Sequence, residues 1–315
     1  MRIGAILKKI REGKGFSISF EFFPPKTEDD FQKLLATVED LKATVEPTFI
    51  SVTYGAAGST RERTKNVVLT LAKKNSIPVM AHITCIAHSR DELMEILNEY
   101  SRSGIENLLV LRGDKPASMS EKEFRKIKER GCGHATDLLE LINENFKERF
   151  SLGVAAYPEK HREAKTLDED IFYLKLKQEL GAEFAITQMF FVNDHFYRFL
   201  EKARKMGVSI PIVPGIMPIT NFSQIRKSAE LSGAEIPEKL LKKLERAAGI
   251  KDPERARKEV EKIGIEHATR QCEDLIKNGI KGLHFFTLNR SKATMEIFKN
   301  IEPLIKDKIV KINHH

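Results

Sequence analysis

The sequence predicts an α/β protein: a single (β/α)8 barrel domain over residues 1–315, with extra helices between strands seven and eight. Three observations predict it. Short apolar runs alternate with helical patterns eight times, mostly in units of about 30 residues. Those runs are continuously apolar, as expected of a parallel sheet covered on both faces. Gly104, Gly181, Gly207 and Gly279 recur as helix stops just before strands. Eight such units close into a barrel. A doubly wound open sheet is the alternative, but no GxGxxG follows any run.

Residues 1–15 read as a short helix with a Gly-rich exit. The first strand is 17–23, stopped by Pro24-Pro25. Glu21 interrupts it. A buried carboxylate is costly, so Glu21 either points to solvent on a half-buried strand or is kept for chemistry. Thr27 and Asp30 mark a helix N-terminus, and Phe31, Leu34, Leu35, Val38 and Leu41 form its apolar face. Strand two is 49–54, followed by Gly55-Ala56-Ala57-Gly58 and a helix over 61–74. Strand three is 78–85. Ser89 and Glu92 then form a capping box for a helix whose inner face is Leu93, Ile96, Leu97 and Tyr100. Strand four is 107–114, and a polar insertion over 115–135 carries a short helix capped at Ser120. A helix over 136–147 precedes strand five, 152–157. A helix over 167–180 precedes strand six, 184–190. A helix near 195–206 leads to strand seven, 210–216, which Pro211 and Pro214 make irregular. Three or four helices fill 218–281. Strand eight is 283–288, and the last helix is 291–306.

Composition narrows the function. Hydrophobic content of 41% supports a substantial core. No run is long and apolar enough to predict a membrane span, and no signal peptide is visible, so a cytoplasmic enzyme is expected. Cys85, Cys132 and Cys272 are widely spaced and make no CxxC pair. The net charge of +8 is interspersed with 45 acidic residues, with no dense basic arm, so no nucleic-acid partner is expected. A mildly positive surface suits anionic small ligands.

Barrel active sites lie at the C-terminal ends of the strands. Those ends carry Glu21, Thr53, Tyr54, His82, Thr84, Arg112, Gly113, Asp114, Tyr157, Glu159, His161, Gln188, Thr287, Asn289 and Arg290. With Phe22, Phe190, Phe191 and Phe286 nearby, the mouth suits a flat, heteroatom-rich ligand. His82, Asp114 and His161 lack metal-ligand spacing, so no metal is expected. No GxSxG elbow exists, and Cys85 has no base nearby in sequence. His82 can equally be a satisfied core histidine.

Several segments together resemble the methylenetetrahydrofolate reductase family. They are Ser19-Phe20-Glu21-Phe22-Phe23-Pro24-Pro25, Ser51-Val52-Thr53-Tyr54-Gly55-Ala56, His82-Ile83-Thr84-Cys85 and Leu111-Arg112-Gly113-Asp114. To these are added Ala155-Ala156-Tyr157-Pro158-Glu159-Lys160-His161, Thr187-Gln188, Pro214-Gly215-Ile216-Met217-Pro218 and Phe286-Thr287-Leu288-Asn289-Arg290. The likeness runs from about residue 16 to 300 in the family's order. It implies a (β/α)8 barrel with non-covalent FAD, NADH or NADPH as electron donor, and a folate substrate. Glu21 matches the family's general acid, and Asp114 the carboxylate beside the flavin that also contacts the pterin. Thr53, Tyr54, Ala56, His82, Arg112, Gly113, Tyr157, His161 and Ala164 match FAD contacts, with Gly133, His134, Ala135, Asp170 and Lys177 as further ones. Gln188, Gln224 and Arg290 match folate contacts, alongside Glu21, Thr53 and Asp114. Phe286 and His134 depart from the aromatic Tyr common at those places.

The resemblance implies reduction of 5,10-methylenetetrahydrofolate to 5-methyltetrahydrofolate. Opening the folate's five-membered ring needs a proton on the leaving anilinic nitrogen, and a carboxylic acid can supply it. Phe20 and Phe22 beside Glu21 would favour its protonated form by desolvation. Asp114 would be a poor substitute if Arg112 held it ionised. The chain ends soon after the barrel, so the regulatory C-terminal domain of animal relatives, and inhibition by S-adenosylmethionine, are not expected. A homo-oligomer is expected, and an electron-donor partner subunit stays open. Two other classes stay open as well: a barrel lyase or aldolase without a redox cofactor, and a pterin-binding subunit without turnover.

Overall fold

Nine parallel strands make one sheet in the computed structural model, which describes residues 1–13, 15–54, 61–74, 77–86, 88–115 and 119–310. They are β1 (Ser17–Phe22), β2 (Phe49–Val52), β3 (Val79–Thr84), β4 (Asn107–Leu111), β5 (Ser151–Ala156), β6 (Phe184–Thr187), β7 (Ile212–Val213), β8 (Gly215–Ile216) and β9 (Gly282–Phe286). Their order is β7-β6-β5-β4-β3-β2-β1-β9-β8. The two ends of that order, β7 and β8, are consecutive in the chain and meet at Pro214. The seventh strand is thus split in two: one half pairs with β6, the other with β9. Proline has no N–H to give to a ladder, which breaks the strand there. The Pro214 carbonyl still accepts from His284 N at 3.0 Å. The sheet is a barrel with an irregular seam, as the sequence predicts.

Alternation along β1 fixes what faces where. Ile18, Phe20 and Phe22 lie in the large apolar cluster between sheet and helices. Ser17, Ser19 and Glu21 therefore point into the barrel. Phe22 and Phe190 do not border the mouth, contrary to the sequence-based expectation. Both are buried in that outer cluster, Phe190 stacked on Phe196 at 5.3 Å. A second cluster fills the barrel itself: Phe49, Met80, Leu109, Phe184, Ile186 and Val213, with Ile3 and Leu7 from below. Gly153 makes this packing possible, because a Cβ there would lie 2.5 Å from the Phe184 ring.

Ile3 and Leu7 belong to α1 (Ile3–Glu12), which plugs the N-terminal end of the barrel. Its free N–H groups find partners on the strands: Ile3 N donates to Asn107 Oδ1 at 2.8 Å and Gly4 N to Ser151 Oγ at 3.0 Å. Arg2 donates to Glu183 Oε1 and to the carbonyls of Phe150 and Glu148, each at 3.0 Å.

The outer helices follow the expected caps. Thr27 accepts from Asp30 N to start α2 (Glu28–Thr44), and Ser89 with Glu92 closes a full capping box on α4 (Arg90–Arg102). Leu93, Ile96, Leu97 and Tyr100 are buried. Gly104, Gly181, Gly207 and Gly279 all take positive φ, between 80° and 93°. The remaining helices are α3 (Arg61–Lys74), α5 (Glu121–Arg130), α6 (Ala135–Phe146), α7 (Leu167–Glu179), α8 (Asn193–Lys205), α9 (Phe222–Ser232), α10 (Glu238–Ala248), α11 (Pro253–Lys277) and α12 (Lys292–Ile305). Three of them, α9 to α11, form the predicted insertion between strands seven and eight. They pack on their own apolar cluster with Met189, Phe191 and Phe286. Among the described residues, no helix is long and apolar enough to cross a membrane.

Candidate active site

Glu21 decides how the mouth is read. It is only 8% exposed, so the solvent-facing alternative is wrong. Its backbone carbonyl accepts from Thr287 Oγ1 at 2.6 Å and from Thr287 N at 3.3 Å. Its carboxylate Oε2 lies 3.5 Å from His82 Nε2 and 3.6 Å from His284 Nε2. Neither nitrogen has a hydrogen-bond partner, and the nearby Ser51 hydroxyl has none either. No lysine or arginine among the described residues pairs with Glu21, so no permanent cation holds the carboxyl, and it is available for proton transfer. Burial draws His82 down to about 4, so its imidazole is neutral near pH 7. His284 is fully buried, and Ser19 Oγ meets its Nδ1 at 2.8 Å. The proton position on that imidazole therefore depends on Ser19.

The ends of β4 and β5 open into a cleft of about 250 Å3. Arg112, His134, Ala135, Tyr157, His161, Ala164, Asp170 and Lys177 line it, all expected from the sequence. His134 is the N-cap of α6, where Asp137 Oδ2 accepts from the N–H groups of Gly133 and His134. Asp170 sits in the first turn of α7 and accepts from His161 N at 3.0 Å. Burial raises Asp170 and lowers Lys177, while each carries a charge that opposes the other's shift. Lys177 Nζ donates to the Ala155 carbonyl at 3.5 Å. Tyr157 packs edge-on against His161 at 4.8 Å, and burial pushes its phenol up to about 12. Burial, then the Arg112 charge, lower His161. Arg112 and Lys177 share this cleft with Glu163, Glu169 and Asp170, and the N-terminus of α6 at His134 and Ala135 is the feature that suits an anionic group.

A second cleft, about 520 Å3, continues past Arg112, Tyr157 and His161 to Asp114, Gln188 and Ser232. Arg112 is not tied to Asp114. Its guanidinium makes a bidentate pair with Glu163, through Nη1 to Oε2 and through Nη2 to Oε1 at 2.8 Å. Asp114 stays exposed at the mouth. Gly113 takes φ +83°, and a Cβ on it would lie 2.8 Å from Thr84 Cβ, so only glycine fits this turn.

Other expected residues fall less centrally. Thr53 and Tyr54 follow the second strand, which ends at Val52, with Tyr54 edge-on to His88 at 6.1 Å. Ala56 lies outside the described residues. Gln224 is exposed in the first turn of α9 and lines neither cleft. Arg290 is exposed after a turn in which Leu288 and Asn289 take φ 52° and 57°. That turn is held to β1, because Asn289 accepts from Phe23 N at 2.8 Å and donates to Phe23 O at 2.9 Å. Phe286 lies edge-on to His284 at 5.5 Å, in space left by Gly215, whose Cβ would meet the ring at 2.6 Å.

Cys85 is pushed up to about 12 and Cys132 to about 11 by burial, so neither is a ready nucleophile. Glu159, His195 and Glu235 do meet at metal-ligand spacing, unlike His82, Asp114 and His161. Arg198 Nη2, however, lies 3.1 Å from His195 Nδ1, which makes that nitrogen an acceptor and leaves the proton on Nε2, facing Glu235.

Sequence reading missed His284, Ser19 and Glu163. Two polar residues at period two from Glu21 and Phe286 were the available signal for the first two. Glu163 follows the His161 motif by two positions and had no such signal.

A family model described as "Methylenetetrahydrofolate reductase" matches residues 6–302. A 5,10-methylenetetrahydrofolate reductase of Pectobacterium carotovorum is 35% identical over 294 residues, covering 93% of each chain. The chain belongs to the methylenetetrahydrofolate reductase family. Membership makes it an oxidoreductase of one-carbon metabolism. Methylenetetrahydrofolate reductase (NADH) 1 of Arabidopsis thaliana is 34% identical over 98% of this chain and 52% of its own length. Among solved structures, an uncharacterized protein from Clostridium thermocellum that binds two copies of 5-methyl-5,6,7,8-tetrahydrofolic acid superposes with a TM-score of 0.60. It is 15% identical, covers 96% of this chain and 98% of its own, and shares the fold.

Proposed function

We propose that this protein reduces 5,10-methylenetetrahydrofolate to 5-methyltetrahydrofolate with hydride from NADH or NADPH, using FAD held beside the mouth, and that Glu21 is the general acid. The observation that carries this reading is Glu21 itself: a buried carboxyl near the C-terminal end of the first strand, its backbone carbonyl held by Thr287, bordered by His82 and His284 and paired with no lysine or arginine among the described residues. Family membership supports the substrate, and the relative named for NADH supports a nicotinamide donor.

Arg112, His134, Ala135, Tyr157, His161, Ala164, Asp170 and Lys177 would hold the flavin nucleotide. Bound FAD supplies the two-electron carrier that accepts hydride from the nicotinamide and returns it to the folate. The protein orients and polarises. Gln188 offers its amide to the pterin, and Asp114 places a negative charge at the same cleft. Glu21 delivers a proton to the anilinic nitrogen of the five-membered ring, which opens the ring to an electrophile able to take hydride. His82 and His284 border its carboxyl, and the proton it gives up is replaced from solvent.

The test is direct. The purified protein is yellow, with about one FAD per chain. Anaerobic NADH or NADPH bleaches it, and methylenetetrahydrofolate restores the colour. A colourless protein that takes up no FAD overturns the cofactor assignment. A flavin that nicotinamide reduces and folate fails to reoxidise overturns the substrate.

A further inference from the structure

The hairpin of α10 and α11 carries a second cleft, on the far side of the apolar cluster that contains Phe286. It encloses about 760 Å3. Lys239, Lys243 and Arg246 line it from α10, at the i, i+4, i+7 spacing of one helix face. Arg255, Lys262 and Arg270 line it from one face of α11, interspersed with Glu259 and Glu266. Six cations against two carboxylates leave a surplus of four, half of the chain's net +8, in one concavity.

None of the six makes an ion pair or a side-chain hydrogen bond among the described residues. Several other helix cations do pair. Lys242 pairs with Glu238, Lys258 with Glu254, Lys205 with Glu201 and Lys277 with Glu273, each at i, i+4. Lys242 and Lys258 sit on the same two helices as the cleft. Like charges at i, i+4, as in Lys239 and Lys243, destabilise a helix. On α10 the cleft therefore sets like charges together, which points to a counter-charge from outside the chain, whereas on α11 Glu259 and Glu266 stand at i, i+4 from Arg255 and Arg270. At its base His267 leaves Nε2 buried without a partner.

We propose that the α10–α11 cleft binds a small metabolite carrying three or more negative charges, as phosphates or carboxylates. The other lining residues are aliphatic: Pro237, Leu240, Ala247, Ile250 and Ile263. No aromatic platform is present for stacking a base, which disfavours nucleic acid and matches a plain multivalent anion. The site is separate from the mouth and does not depend on the reaction proposed there.

Titration calorimetry of the FAD-loaded full chain at low ionic strength tests this, with inorganic tripolyphosphate, citrate and a short single-stranded RNA as separate probes. Saturable binding of tripolyphosphate or citrate at one site per chain is expected. The stronger of the two tells phosphate from carboxylate. K243E/R246E is expected to weaken binding at least about tenfold, the worth of one lost charge-assisted contact. K258E removes a cation that is already paired outside the cleft and leaves binding within about twofold. Equal weakening in both variants overturns the proposal, because only diffuse attraction would then be present. So does the absence of binding by both anions, or binding of RNA alone.

Discussion

The two ends of this barrel treat polar groups in opposite ways. At the closed end, the N–H groups of Ile3 and Gly4 are capped by Asn107 and Ser151, and Arg2 bonds two carbonyls and Glu183. At the open end, the Nε2 atoms of His82 and His284 and the hydroxyl of Ser51 are buried without partners around the Glu21 carboxyl. Buried polar groups are costly unless bonded. One end has met that cost inside the chain and the other has not. The difference separates polar residues that hold the barrel together from those kept ready for something outside the chain.

The largest expected effect lies at the open end. Glu21→Gln keeps the shape of the side chain but removes its acidic proton. Stopped-flow measurement should show reoxidation of the reduced flavin by methylenetetrahydrofolate slowed by about 10²–10⁴-fold. Reduction by nicotinamide, which needs no such proton, should survive. Equal losses in both half-reactions would blur the contrast by making Glu21 a structural residue.

Acid should reveal the stored cost next. His82 titrates near 4 in the fold, against an ordinary 6.5, so the unfolded chain binds the proton more readily. Its contribution is complete above pH 6.5 and is lost as pH falls towards 4, a change on the order of 3 kcal/mol. His82→Gln should flatten that part of the stability profile in urea unfolding. The parallel loss from His267, also drawn down to about 4, should persist in the variant.

At the closed end, Asn107→Ala strands the Ile3 N–H and two carbonyls, those of Met1 and Val79. Thermal unfolding should register a loss of about 1–3 kcal/mol, with turnover per folded molecule unchanged. A fall in turnover without a fall in stability would break the division between the two ends.

Asp114→Asn should have the smallest effect. Its charge is exposed, and an exposed charge contributes about 1 kcal/mol or less. Flavin reduction and the folate KM should shift several-fold while the melting temperature stays put. A variant with unchanged flavin potential and unchanged kinetics in both half-reactions would remove Asp114 from the site.

The alternation of apolar runs and helices made the barrel legible, because strand burial and helix stops are written locally, in glycines such as Gly181 and caps such as Ser89. Pro214 even marked the irregular strand. The cleft residues from Arg112 to Lys177 were legible because motifs keep their order along the chain. What stayed hidden depends on meetings across the barrel. The pairing of Arg112 with Glu163 spans 51 residues, and that of Ser19 with His284 spans 265. Phe22 was misplaced for a related reason: which face of a strand a residue takes is settled by register, not by proximity to the strand's end. Phe190 lies beyond the sixth strand, which ends at Thr187 and not at 190.

The plug at the closed end has a consequence for synthesis. α1 emerges from the ribosome before every strand of the barrel, yet its partners at residues 107, 151 and 183 lie 104, 147 and 181 positions downstream. Until strands four to six have been made, Ile3 and Leu7 have no cavity to enter. Contacts this remote are slow to form, and apolar surface that waits for them is exposed to misassembly. The floor of the barrel therefore closes late, although it is encoded first. Conditions that slow elongation between residues 12 and 183 should lengthen the time in which a nascent chain needs a chaperone.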